Sequence, residues 1–361
     1  MAKGTVNTGI RPALLETVTS VRRLIITLIV GVLAAGATYL SLQSWSAASG
    51  YDRLGHDFTI IWRAGHALLD GLNPYDVLRP APGARSPFTH TFAYPLPAGF
   101  VGIPFTPLRP VIAAAVFVGL SFALAAYGLL RDGVWRLLVL MSAPAFTTLS
   151  NGQAAPLLLA AALLPPFGWL LIWKPTVGAA YFLAWPNRWT LVGGAVAAVL
   201  AFAVLPTWPF DWIETVLAFP QLGQYRPPVR MFGGAFLVLA WLRWRRPEAR
   251  LLGTLALVPQ NTFFYEQLPL MLIPQSPRAL LLFVLWSNVL KLSAEVLRPR
   301  AGIPNPVSSV LWEPVIVLGL YLPALVMVLR RPNVGPLPAW LDRQLVRRKV
   351  PRWLRGAPEA A

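Results

Sequence analysis

Cysteine is absent from this chain. That excludes disulfide staples and thiolate metal sites, and it leaves the redox compartment unread. Histidine is nearly absent. His56, His66 and His90 are the only three, all in one hydrophilic segment, so a His-rich metal site buried among apolar helices is excluded as well. Acids are few, 14 against 31 Lys and Arg. Charge of either sign makes up only 12% of the 361 residues, against 56% hydrophobic residues and a mean hydropathy of +0.58. No soluble domain of that size hides so much apolar surface. The short alternating segments of a transmembrane β-barrel are missing, as are internal repeats and heptads. What is left is an all-α polytopic integral membrane protein without a separate soluble domain.

The formal net charge of +17 raises nucleic acid as a partner, but its distribution argues against it. The excess sits in the N-terminal segment (Lys3, Arg11, Arg22, Arg23), at 243–250 (Arg243, Arg245, Arg246, Arg250) and in a tail rich in Arg. Residues 45–110 instead balance Arg53, Arg63, Arg79, Arg85 and Arg109 against Asp52, Asp57, Asp70 and Asp76. Such asymmetry orients a membrane protein and attracts anionic lipid head groups.

On this reading residues 1–23 are a cytoplasmic N-terminal segment, with no small-residue cleavage pattern after the first apolar run. Residues 24–330 form the membrane bundle, and 331–361 are a basic cytoplasmic tail. Crossings are expected at 24–44, 110–130, 137–149, 189–207, 230–242, 251–263, 268–276, 279–297 and 308–329. With the Pro-broken stretch 154–188 the total is about ten, both termini being cytoplasmic. Within 154–188, Pro165-Pro166 breaks one apolar run and Lys174-Pro175 the next. Residues 94–108 are apolar but too short and Pro-rich to span, which suits a re-entrant or interfacial segment. Outer loops fall at about 45–110 and at 208–229.

The most informative stretch is 56–76, HDFTIIWRAGHALLDGLNPYD. Asp57 opens a helical pattern directly after the first span. Phe58, Ile61, Trp62, Gly65, Leu68 and Leu69 recur at helical spacing, with Thr59, Arg63, His66 and Asp70 opposite. That predicts an amphipathic helix lying along the membrane surface. Gly71 to Tyr75 ends it with breaker residues.

By this topology the outer face gathers Asp57, Asn151-Gly152-Gln153, Lys174, Asp211 with Glu214, and Tyr265-Glu266-Gln267. Each has two readings. Asp57 is either the N-cap of its helix or a general base for an attacking hydroxyl; the roles can coexist. Lys174 either snorkels to the nearest surface or faces a cavity and pairs with a phosphate. Asn151, Gln153 and Gln267 serve as helix-end caps or interhelical hydrogen bonds, or as ligands to substrate.

The stretch at 56–76 resembles the first-loop signature of the GT-C glycosyltransferases of family 87, which include polyprenyl-phosphomannose-dependent α-mannosyltransferases. The residues that carry the likeness are Asp57, Phe58, Trp62, Ala64-Gly65, Leu68-Leu69, Gly71 and Pro74-Tyr75. Tyr94-Pro95, Asn151-Gly152-Gln153, Lys174-Pro175, Arg188-Trp189 and Tyr265-Glu266-Gln267 follow in order. The resemblance implies a GT-C-like bundle in the cell membrane with its site on the outer face. It implies a polyprenyl-phosphate sugar donor, mannose or another hexose, and a lipid or glycan acceptor. It implies inversion with Asp57 as the catalytic base and no metal or other cofactor. Lys174, His56, Arg63, Gln153, Tyr265, Glu266 and Gln267 become candidates for the donor phosphate and substrate.

A transporter or flippase is the alternative, since broken helices and a buried lysine occur there too. Against it stand the lack of an inverted repeat and the gathering of polar residues at one face rather than the midplane.

Overall fold

A computed structural model describes residues 20–49, 57–79, 91–218, 225–260, 263–300 and 312–335, with positions 347 and 351. His56 and His90, nearly all of the 1–23 segment and most of the 331–361 tail lie outside the described residues. Among the described residues the regular structure is helical, with no strand beyond isolated bridges such as Arg226 with Gln260.

Helix α1 (Ser20–Ser49) leads to α2 (Phe58–Leu69), the short α3 (Pro74–Val77) and α4 (Pro97–Gly102). Next come α5 (Pro110–Leu129), a 3₁₀ segment Val134–Met141, α6 (Ala143–Asn151) and α7 (Ala155–Leu163). A 3₁₀ segment Pro165–Trp173, α8 (Pro175–Ala184), α9 (Arg188–Val204) and α10 (Trp208–Leu217) follow. The 3₁₀ segment Gly234–Arg243, α11 (Pro247–Leu257), a further 3₁₀ segment Phe264–Leu272 and α12 (Pro277–Arg300) come next. Finally α13 (Trp312–Ile316) runs through a π turn into α14 (Leu322–Leu329).

Three stretches among the described residues are long and apolar enough to cross a membrane: Ser20–Ser44, Pro110–Asp132 and Pro277–Val296. Helices α9 and α10 together would supply a fourth, but they are bent by 93°. The stretches expected as crossings at 137–149, 230–242, 251–263 and 268–276 form shorter segments, several of them 3₁₀. Proline is the physical reason for many of these breaks. The chain holds 36 prolines, and one stands in the first turn of α4, α5, α7, α8, α10 and α11. There its missing N–H costs nothing, while the preceding segment is forced to stop.

Helices α1 and α5 pack through small residues, Gly31 and Ala35 against Gly119 and Ala123, the packing that lets helix backbones approach closely in lipid. Arg23 at the start of α1 reaches the end of α5, donating from Nε to the Tyr127 carbonyl at 2.9 Å.

That contact is one of a set. Short helices leave their last carbonyls without intrahelical partners, and arginines from other elements take them. Arg131 donates to Leu163 O at the end of α7, 3.1 Å. Arg250 donates to Leu183 O and Ala184 O at the end of α8, 2.8 and 2.9 Å. Arg243 reaches Leu329 O at the end of α14, 3.2 Å. Arg136 reaches Pro274 O, just past Phe264–Leu272, at 2.8 Å. These contacts gather Arg23, Arg131, Arg136, Arg243 and Arg250 at one end of the bundle. From the sequence, Arg23, Arg243 and Arg250 belong to basic segments expected to set topology and attract lipid head groups. The structure engages their guanidinium groups with carbonyls at helix C-termini, where the helix dipole favours a cation.

Helix α2 departs from the expected surface helix. Thr59 is buried along with Phe58, Ile60, Ile61, Ala64, Gly65 and Ala67, and Leu69, expected on the inner face, is exposed. The cause is a backbone-to-backbone contact with α4. A Cβ on Gly65 would stand 2.7 Å from the Gly102 carbonyl carbon, and one on Gly102 would overlap the Ile61 carbonyl. With no side chain between them the helices sink together, and α2 is seated in the bundle instead of on it. Trp62 ties it down by donating to Phe105 O and Leu108 O, both at 3.1 Å.

Candidate functional site

The site lies at the end of the bundle away from the arginines. Its first part is the turn between α6 and α7. Ser142 caps α6 at its start, and Gly152 ends it with φ +64°, a left-handed conformation that glycine adopts without strain. That turn directs Gln153 back toward residue 57. The Asp57 N–H donates to Asn151 O at 3.2 Å, and Gln153 Nε2 donates to Asp57 Oδ2. Asp57 makes no side-chain cap on α2. Of the two readings of this carboxylate, the cap is therefore set aside.

The second part is the break between Pro165–Trp173 and α8. Lys174 sits there with φ −130° and ψ 84°, between two segments that Pro165 and Pro175 open. Its Nζ lies 2.5 Å from Glu266 Oε1 and 5.4 Å from the centre of the Tyr265 ring. The Glu266 side chain is 1% exposed and that of Lys174 22%. Lys174 thus does not snorkel to the surface; it turns inward to a buried carboxylate. A buried charge needs such a partner, because its desolvation is otherwise costly.

Between these parts is a cavity of about 20 Å³, lined by Tyr94, Gln153, Ala154, Ala155, Leu158, Trp173, Lys174, Val177, Tyr181, Tyr265, Glu266 and Pro269. It has room for a water or two. Asp57, half-buried, stands behind Gln153 and is joined to the lining through that hydrogen bond. Burial raises the Tyr94 phenol well above its ordinary pKa, and Asp57, Tyr225 and Glu266 push it further. It stays protonated and a donor. Its position is set by Tyr75, whose hydroxyl donates to Tyr94 O at 2.8 Å.

The sequence candidates divide on the structure. Gln153, Lys174, Tyr265 and Glu266 line the cavity, with Asp57 adjoining it. Arg63 is half-buried on α2 and is not part of the lining. Gln267 is buried, donates to Phe263 O at 3.5 Å, and also lies outside the lining. His66 packs edge-on against Trp62 at 4.2 Å. Asp211 and Glu214 are taken up by Asn73 and Arg79 instead. Tyr181 was not foreseen. It is 1% exposed, and its hydroxyl has no hydrogen-bond partner among the described residues. A signal for it existed, since it lies two helical turns beyond Lys174 with Val177 between them, all on one face.

No protein-family model, curated protein or solved structure matches the chain.

Proposed function

We propose that this chain is an inverting membrane glycosyltransferase. It moves a hexose, mannose being the first candidate, from a polyprenyl-phosphate donor to a lipid or glycan acceptor, with Asp57 as general base. The observation that carries the reading is the hydrogen bond from Gln153 to Asp57 beside the cavity that holds Lys174 and Glu266. A carboxylate fixed by an amide, instead of capping its own helix, is oriented to accept a proton from a third group.

In this reaction Asp57 takes the proton of the acceptor hydroxyl as its oxygen bonds to the anomeric carbon. The bond from that carbon to the phosphate oxygen breaks on the opposite face, and polyprenyl phosphate leaves. Such a leaving group needs cationic and hydrogen-bonding partners more than a strong acid. Lys174 supplies charge, and Tyr94 is a neutral donor on the same lining. At about 20 Å³ the cavity holds water and not a hexose. The reading therefore requires the site to open, with the donor phosphate replacing Glu266 as the partner of Lys174.

The proposed location is the cell membrane, with the arginine end and both termini cytoplasmic and the site outward. The gathering of basic residues at the opposite end supports that orientation. On this view the short Pro-opened segments, with the three long spans, make up the crossings of a GT-C-like bundle.

The test uses purified protein in proteoliposomes, labelled polyprenyl-phosphate hexoses and a membrane lipid extract. Labelled product with the native chain, and a loss on the order of 10²–10⁴ with Asp57→Asn, is the expected result. Product formation undiminished in the variant would overturn the role of Asp57. Donor movement across the bilayer without product would favour a flippase.

A further inference from the structure

Helix α10 follows α9 across a 93° bend. The corner is fixed locally: Thr207 O accepts from Phe210 N at 2.9 Å and Asp211 N at 3.1 Å, and Thr207 Oγ1 donates to Asp211 Oδ2 at 2.8 Å. One face of α10 is apolar and open, with Phe210, Ile213 and Leu217 exposed by 74, 50 and 78% at helical spacing. The preceding helix exposes Val196, Val199, Leu200, Phe202 and Val204, the kind of surface a membrane helix turns to lipid. The apolar face thus continues around the corner from α9 to α10. From its far side, through Asp211 and Trp212, and from the rim of the apolar face, through Glu214, α10 holds the first loop. Asn73 Nδ2 donates to Asp211 Oδ2 at 3.0 Å, Arg79 Nη2 to Glu214 Oε1 at 3.4 Å, and Trp212 Nε1 to Ala93 O at 3.2 Å.

We propose that α10 is an in-plane membrane helix. It is seated at the boundary between head groups and acyl chains of the leaflet away from the arginine end. Phe210, Ile213 and Leu217 enter the acyl region, and the polar residues brace Asn73, Arg79 and Ala93 against the membrane surface. An amphipathic helix perpendicular to an adjoining apolar helix has the geometry for that seat. The lipid is the fitting occupant because the exposed face is continuous with the apolar surface of α9. Nothing in the inference depends on sugar transfer, so it survives or fails apart from the proposed reaction.

The native chain has no cysteine, so a single introduced thiol is a unique label. Phe210→Cys, Ile213→Cys, Leu217→Cys and, as the control at the polar rim of that face, Glu214→Cys are each spin-labelled and reconstituted in phosphatidylcholine vesicles containing phosphatidylglycerol. Labels at 210, 213 and 217 are expected to collide more with oxygen than with an aqueous nickel chelate, and the label at 214, at the polar rim, to gain nickel access relative to them. Nickel access at all four positions would overturn the proposal. So would dipolar broadening between labels on two copies, or labels at 210, 213 and 217 shielded from both relaxants by another part of the chain.

Discussion

Gln153 donates its side-chain amide to the carboxylate of Asp57, a residue 96 positions earlier in the chain. The bond joins the start of α2 to the turn after α6, and Asp57 N–H to Asn151 O runs beside it. One turn therefore fixes both the backbone and the side chain of the residue on which the proposed chemistry rests. Removal of the carboxylate by Asp57→Asn is expected to lower transfer by on the order of 10²–10⁴ with folding intact. Gln153→Ala keeps the carboxylate but loses its orientation, so it should lower kcat with a smaller change in KM. Steady-state transfer in proteoliposomes checks both, and a Gln153→Ala enzyme with unchanged kcat would remove the positioning role.

Lys174 and Glu266 are unequal partners, the acid being the more deeply buried. Lys174→Met removes the cation beside a buried carboxylate and is expected to cost about 3–5 kcal/mol. Glu266→Gln leaves an ammonium that retains some access to water and should cost less. Thermal unfolding in detergent reads the order, and a larger loss for Glu266→Gln would contradict it.

The close approach of α2 and α4 has its own test. Gly102→Ala forces a methyl group into the Ile61 carbonyl, with an expected loss of about 1–3 kcal/mol or more for overpacking. Gly36 on α1 has nothing within 4 Å of an added Cβ, so Gly36→Ala should be neutral or slightly stabilising. Unfolding temperatures of the two variants should therefore move apart.

Arg250 donates to the carbonyls of Leu183, Ala184, Trp244 and Arg245. Lysine keeps the charge but not the planar fork of donors. Arg250→Lys should lower stability by about 1–2 kcal/mol, the scale of charge-assisted bonds lost at a half-buried position. A melting temperature that stays put would show that the four carbonyl contacts contribute little.

Tyr75→Phe removes the hydrogen bond to Tyr94 O and should cost about 1 kcal/mol near neutral pH. Burial, with Asp211 adding to it, raises the Tyr75 phenol above its ordinary value. For a raised pKa the contribution is complete below the unfolded value of about 10 and declines as pH rises toward the folded value. The stability gap between native and variant chains should accordingly narrow in strong alkali.

The sequence by itself determined the helical membrane character, the breaks at Pro165 and at Lys174-Pro175, and a helix beginning just after Asp57. These follow from hydropathy, from the fixed φ and missing N–H of proline, and from helical spacing, all of which act within a few residues. Tertiary structure alone decided that Asp57 binds Gln153 and does not cap its helix, that Lys174 turns inward to Glu266, that the arginines close helix ends, and that Tyr181 joins the cavity. It also decided the depth of α2, through the meeting of Gly65 and Gly102. Each of these links residues far apart in the chain. Their partners are selected by how short segments pack, and no local pattern of apolar and polar residues encodes that choice.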